Sequence, residues 1–153
     1  MQEIAIRRAT VADLDALLRF QQGVLAAERP FDPTIADGPV QYYDIQALLA
    51  SDQVLFVIAE GSAGAVGCGF TRIEPAKRYL KHATHAYLGL MYVDPACRGQ
   101  SVIGKIIDAL KQWARSRGVT ELRLEVYAGN TAAIRAYGKA GFEPLMVEMR
   151  SSA

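Results

Sequence analysis

Val93-Asp94-Pro95-Ala96-Cys97-Arg98-Gly99-Gln100-Ser101-Val102-Ile103-Gly104-Lys105 is the stretch that decides the fold. An apolar run, Tyr87–Val93, leads into it and stops at Asp94–Pro95. Residues Ser101–Arg117 lead out, with Val102, Ile106, Ile107, Leu110 and Trp113–Ala114 at helical spacing and Gly118 as the C-cap. Glu121–Tyr127 then alternates Leu122, Leu124 and Val126, which predicts a second strand. Strand, helix and strand in that order make a parallel crossover. Ligands of open sheets collect outside the carboxyl ends of parallel strands, which is where this turn falls.

The turn has the chemistry for an anion. A helix N-terminus presents unpaired N–H groups and about half a positive charge. Gly99 and Gly104 keep the backbone permissive, and Arg98 and Lys105 add full charges. One reading is a pyrophosphate cradle; the other is a tight strand-to-helix turn with two surface cations. Neither GxxxxGK[ST] nor GxGxxG is present, so the common nucleotide loops do not account for it.

Upstream, Glu3–Arg8 alternates Ile4 and Ile6 with charged neighbours, as a strand with one wet face does. Thr10 and Asp13 frame a capping box, and Leu14, Leu17, Leu18 and Val24–Leu25 carry an amphipathic helix towards Glu28. Arg29–Pro39 holds three prolines and is irregular. A second short helix is expected over Tyr42–Ala50. Val54–Ala59, a turn at Gly61–Gly64 and Ala65–Ile73 read as a hairpin. Downstream, Asn130–Ala140 reads as a helix closed by Gly141, and Glu143–Arg150 as a last strand. The expected fold is α+β: one domain over residues 1–153, with a mixed central sheet of about six strands and four flanking helices.

Asn130-Thr131-Ala132-Ala133-Ile134-Arg135-Ala136-Tyr137-Gly138-Lys139-Ala140-Gly141-Phe142 carries the second signal. Asn130 and Tyr137 are two helical turns apart and point the same way, with the small Ala133 between them. Taken singly they also fit an N-cap and a half-buried ring.

Together the two segments resemble the GNAT superfamily of acyl-CoA N-acyltransferases. Arg98-Gly99-Gln100-Ser101-Val102-Ile103 fills the frame of its cofactor motif, [QR]xxGx[GA], without a gap. Ser101 stands in place of the first glycine, and Ile103 puts a branched side chain beside the pyrophosphate approach. The later helix fills every marked position of N-x-x-A-x-x-x-Y-x-x-x-G-F. The resemblance implies acetyl-CoA as cosubstrate, with no metal. Backbone groups of Met91, Tyr92 and Val93 would hold the pantetheine arm. Arg98, Gly99, Gln100, Ser101, Val102, Ile103 and Gly104 would cradle the pyrophosphate. Asn130 and Ala133 would line the arm, and Tyr137 would return a proton to the departing thiolate. The acceptor would be a primary amine of a small molecule, amino acid or peptide.

The base is less legible. Many relatives place a glutamate on the strand before the turn, but Ala86–Val93 has no carboxylate. Glu125, Glu28, His85 through a water, or no dedicated base at all remain open. Glu28 and Arg29 lie where relatives shape the acceptor pocket, which suggests an ammonium on Glu28 and a carboxylate on Arg29, or simply a solvated loop. His82 and His85 lack a third ligand and read as surface or packing residues. Cys97 has no histidine in its segment, so it is expected to pack rather than react.

Composition narrows the remaining classes. The chain has 153 residues, is 51% hydrophobic and 22% charged, with a formal net charge of +1. That balance suits a packed domain without a basic footprint for nucleic acid. Two lone cysteines, no signal-peptide pattern and no membrane-length apolar run point to the cytoplasm. One strand after the Gly141-Phe142 pair leaves an open sheet edge that a second subunit could complete as a homodimer. The alternatives to an enzyme are an acyl-CoA-binding module of the same fold and a nucleotide-binding protein of another class.

Overall fold

The computed structural model describes residues 3–153. Thr10 and Asp13 close the expected capping box, with the Thr10 N–H on Asp13 Oδ2 at 2.8 Å. The box first winds a 3-10 turn, Val11–Asp13, so helix α1 runs Leu14–Glu28. It buries Leu17, Phe20, Gln21 and Leu25. Helix α2 is shorter than expected, Ile45–Ala50, because Asp44 caps it by accepting from the Ala47 N–H at 3.1 Å. Tyr42 and Tyr43 therefore lie outside the helix.

Strands β1 (Ala5–Arg8), β2 (Val54–Gly61), β3 (Gly64–Pro75), β4 (Thr84–Val93) and β5 (Leu122–Arg123) form a single sheet in chain order. The first three neighbour pairs are antiparallel, and β4 with β5 is parallel, as the crossover predicts. Between β4 and β5 runs α3, Val102–Ser116. It ends at Gly118 (φ 76°) with the Gly118 N–H on the Arg115 carbonyl and the Val119 N–H on that of Ala114, each at 3.0 Å. This is a Schellman cap. Helix α4 is Thr131–Lys139.

The sheet separates two cores. On one side Leu17, Phe20, Ile45, Leu48, Phe56, Ile58 and Phe70 pack α1 and α2 onto it. On the other Leu55, Val57, Leu88, Val102, Ile106, Ile107 and Leu110 pack α3, with Tyr137 and Phe142 against them.

Two strand expectations are corrected. Glu121–Tyr127 pairs only at Leu122 and Arg123, and Glu143–Arg150 is not a strand but an exposed tail without regular secondary structure. The sheet thus has five strands, close to the six expected. β5 is short because its pairing with β4 stops at Tyr87, and among the described residues the tail pairs with no strand.

Candidate active site

Strand β4 loses its regularity between Gly89 and Tyr92, where it carries one more residue than the facing Phe70–Cys68 of β3. Leu90 absorbs the extra residue with φ 47°. A left-handed L-residue costs roughly 1–2 kcal/mol, so its surroundings must hold it there. Leu90 is buried in the first core, and the Cys68 thiol donates to its carbonyl at 3.3 Å. Gly89 makes the approach possible, since a Cβ there would meet the Phe70 ring at 2.5 Å and the Tyr43 hydroxyl at 2.9 Å.

Parallel pairing with β5 involves only Ala86 and Tyr87 of β4. Past the bulge, Tyr92 and Val93 pair with Cys68 and Gly67 of β3 alone. The other edge of Met91–Val93 therefore faces a splayed opening between the parallel strands, with backbone groups available to a ligand.

At the end of β4, Asp94 accepts from the Ala96 N–H at 2.9 Å and starts a 3-10 turn, Pro95–Cys97. Cys97 is buried in the second core, so it packs. Gly99 (φ 81°) and Ser101 (φ 60°) are both left-handed, which turns successive amides to one side as an anion nest. Nothing lies within 4 Å of a Cβ built on Gly99 or Gly104. The Ser101 hydroxyl does not cap its own helix. Arg98 is exposed, with Nε on the Val93 carbonyl at 3.3 Å. Ile103 packs against the second core, which takes its branched side chain out of the cradle. The site fits a pyrophosphate.

Asn130 caps α4, its Oδ1 accepting from the Ala133 N–H at 3.2 Å, which leaves its amide nitrogen outside the cap. Tyr137 follows two turns later, its ring edge-on to Phe142 at 6.1 Å. Burial pushes its pKa up to about 12, aided by the nearby Glu28 and Tyr43. The phenol therefore keeps its proton at neutral pH.

Glu28, at the end of α1, comes within electrostatic reach of Tyr137. Its Oε2 is buried without a hydrogen-bond partner. Burial raises its pKa and Asp32 adds to the rise, while the Tyr42 hydroxyl opposes it. Around it runs a set of tyrosines. Tyr42 stacks on Tyr43 at 4.7 Å, and the Tyr43 and Tyr87 hydroxyls are 3.4 Å apart. Tyr87 donates to Glu125 at 3.1 Å, and Tyr127 to Asp32 at 2.8 Å. Burial lifts Tyr42 and Tyr87 well above the usual phenol range and Tyr127 to about 12, so all three stay protonated donors.

Other expected residues have other work. The Arg29 guanidinium donates to the Ala36 and Gly38 carbonyls at 3.0 and 2.6 Å, folding the proline-rich loop onto α1. His85 Nε2 lies 2.9 Å from Glu74 Oε1 at the opening of β4. It is six residues from Met91, on the order of 20 Å along the strand, and so outside the opening. Sequence reasoning missed Asp32, Tyr42, Tyr43, Tyr87, Tyr127 and the Leu90 bulge. Tyrosines scattered over a helix boundary, a strand and a loop carry no spacing signal, and a leucine inside an apolar run gives no sign of positive φ.

Comparison with known proteins agrees with this geometry. The profile of the Acetyltransferase (GNAT) family matches residues 21–142, and the chain belongs to that family. An IAA acetyltransferase of Azospirillum brasilense is 29% identical over 99 residues, 65% of this chain and 60% of that protein. An aminoglycoside N(6')-acetyltransferase type 1 of Klebsiella aerogenes is 33% identical over 78 residues, 51% of each. The chain thus spans between half and three-fifths of the length of these curated relatives. A Clostridium acetobutylicum protein described as a predicted acetyltransferase, solved with acetyl-CoA, shares the fold with a TM-score of 0.74. It is 19% identical, over 97% of this chain and 96% of that one. Among the described residues no helix is long and apolar enough to cross a membrane, and no group of three metal-ligating side chains occurs.

Proposed function

We propose that the chain, as one domain over residues 1–153, is an N-acetyltransferase moving an acetyl group from acetyl-CoA directly to a primary amine of a small molecule, amino acid or peptide. The observations that support this are the end of β4–β5 pairing before the Leu90 bulge, the left-handed Gly99 and Ser101 at the head of α3, and the Tyr137 phenol within electrostatic reach of Glu28. Bound there, acetyl-CoA supplies an activated thioester.

The chain's own residues do the rest. The amides of the nest and the Arg98 charge hold the pyrophosphate. The free edge of Met91–Val93 holds the pantetheine arm, and one of its N–H groups polarises the thioester carbonyl. Asn130 and Ala133 line the same path. Glu28 orients the acceptor ammonium and takes its proton, for which a buried carboxylate with a raised pKa is suited. The amine nitrogen then bonds to the acyl carbon as the carbon–sulfur bond breaks. Tyr137 gives its proton to the sulfur, the second proton of the attacking nitrogen passes through solvent to restore Tyr137, and Glu28 releases the first to solvent, leaving amide and free thiol. Glu125 and the tyrosines form the acceptor wall. Arg29 supports that wall through the loop it closes.

Thiol release from acetyl-CoA, screened over monoamines, diamines, amino acids and peptides, tests the proposal. Amine-dependent release that Tyr137→Phe strongly reduces is the expected result. Tight acetyl-CoA binding with no release on any amine would instead favour an acyl-CoA-binding module of the same fold.

A further inference from the structure

Gly67-Cys68-Gly69, on β3, faces the stretch of β4 that carries the bulge. The three residues divide between the two faces of the sheet. A Cβ on Gly69 would meet Met91 Sδ and Ile106 Cγ2, each at 2.7 Å, and one on Gly67 would meet the Tyr92 carbonyl at 2.6 Å. The two glycines therefore leave room on the α3 face for the bulged strand to lie against them. Cys68 points the other way, into the core it shares with α1 and Leu90, where it is fully buried. Burial pushes the thiol pKa up, so the sulfur keeps its proton and stays a donor. Its acceptor is the Leu90 carbonyl, at 3.3 Å.

The Leu90 carbonyl and the Met91 N–H belong to one peptide unit. That unit is trans and planar, so the two bonds point in opposite directions. A thiol that holds the carbonyl on the α1 side therefore turns the N–H away from that core, toward the side where α3 and Tyr137 pack. The ladder gives the matching direction within the sheet. Asp94 donates to the Val66 carbonyl of β3 at 2.7 Å, whereas the Val93 carbonyl accepts from Arg98 at 3.3 Å. Backbone groups alternate along a strand, so Tyr92 turns to β3 and Met91 turns with Val93 to the open edge. Val93 adjoins the pyrophosphate turn, which leaves Met91 for the thioester.

We infer that Cys68 is a positioning residue for acyl transfer: through the Leu90 carbonyl it aims the Met91 N–H into the opening, where that N–H polarises the thioester carbonyl. This rests on the acetyl-CoA reading above. An S–H group is a weak donor, but it acts on a left-handed leucine that has easier conformations open to it. An oxyanion donor is effective only when it is aimed before the reaction begins. Losing one outright costs roughly 10²–10³ in kcat, and one that is misaimed keeps part of its effect.

Amide NMR of the isotope-labelled protein with acetyl-CoA and with CoA, which lacks the thioester carbonyl, tests it together with turnover of Cys68 variants. The Met91 amide proton is expected to move downfield with acetyl-CoA and not with CoA. Cys68→Ala removes the donor, and Cys68→Val removes it at similar volume. Both should lose that difference and lower kcat about tenfold, with acetyl-CoA affinity within about threefold of the wild type. Cys68→Ser keeps a donor and should restore most of both. Activity that follows volume instead, with valine fast or serine as slow as alanine, overturns the inference. So does an acetyl-CoA response carried by another amide, which the wild-type protein reports even where a variant fails to fold. Either result leaves acetyl-CoA binding and the proposed function standing. No amide responding to acetyl-CoA in the folded protein would remove that function, and the role of Cys68 with it.

Discussion

At the start of α1 the Asp13 carboxylate accepts from both Arg7 Nη atoms, at 2.9 and 2.8 Å, and from the Thr10 N–H, whereas at the end of the same helix Glu28 keeps a buried oxygen with no partner. Arg7 holds Asp13 below the usual carboxylate range, while burial lifts Glu28 above it. Two carboxylates on one helix thus answer opposite questions. Asp13 has both oxygens answered from within the fold and fixes the helix to β1 and, through Arg7, to Glu60 of β2. Glu28 is ionisable and desolvated, and beside the Tyr42 hydroxyl its Oε2 is left to be answered by something that arrives. Polar groups left unpaired inside a protein are costly, so where one persists beside an opening it marks the working end of the structure.

The largest effect expected from breaking this contrast is at Glu28. Glu28→Gln keeps the shape and removes the base, and should lower kcat by about 10²–10⁴-fold in steady-state turnover. The same variant should melt at an equal or higher temperature at pH 7. The sign follows from the raised folded pKa: the fold favours the protonated form, and that advantage is lost as pH rises through the folded pKa. A neutral glutamine avoids the loss.

Tyr137→Phe comes next, with kcat down by about tenfold or more and acetyl-CoA affinity little changed. Equal turnover by this variant at neutral pH would remove Tyr137 from the acid role. Smaller in amplitude is the pH dependence. Because the base must be ionised, kcat/KM should fall on the acid side through a pKa above the roughly 4.3 of an ordinary glutamate. That limb should vanish in Glu28→Gln. At the other end of the helix, Asp13→Ala should cost about 1 kcal/mol of stability in denaturant unfolding and leave activity unchanged. Since the folded pKa of Asp13 is lowered, its contribution is present above the ordinary carboxylate range and lost as pH falls through the folded pKa.

How much of this could be read from the chain follows from the range of each signal. The crossover was legible because Val102, Ile106, Ile107, Leu110 and Ala114 repeat at helical spacing between two apolar strands, and all five are buried as expected. The capping box at Thr10 and the cap at Gly118 are local and were readable for the same reason. The cradle was legible as a strand-to-helix turn, but its αL residue at Ser101 was not, because a serine does not announce positive φ. The β4 bulge was invisible, since it depends on how the Phe70–Cys68 segment of a different strand faces it. Val126 was expected to point inward from a full strand and is 37% exposed, because the splay that opens the site ends β5 early. Glu28 was legible as a possible base only by its place after a helix. Its burial and nearness to Tyr137 required the tertiary structure.

The most direct test of the central claim is calorimetric titration of the folded protein with acetyl-CoA, with ATP as control. The account predicts micromolar binding of acetyl-CoA, weakened by Arg98→Ala, and none of ATP. No heat with acetyl-CoA from a protein shown to be folded would contradict it, and with it the assignment of the Gly99–Gly104 nest to the pyrophosphate.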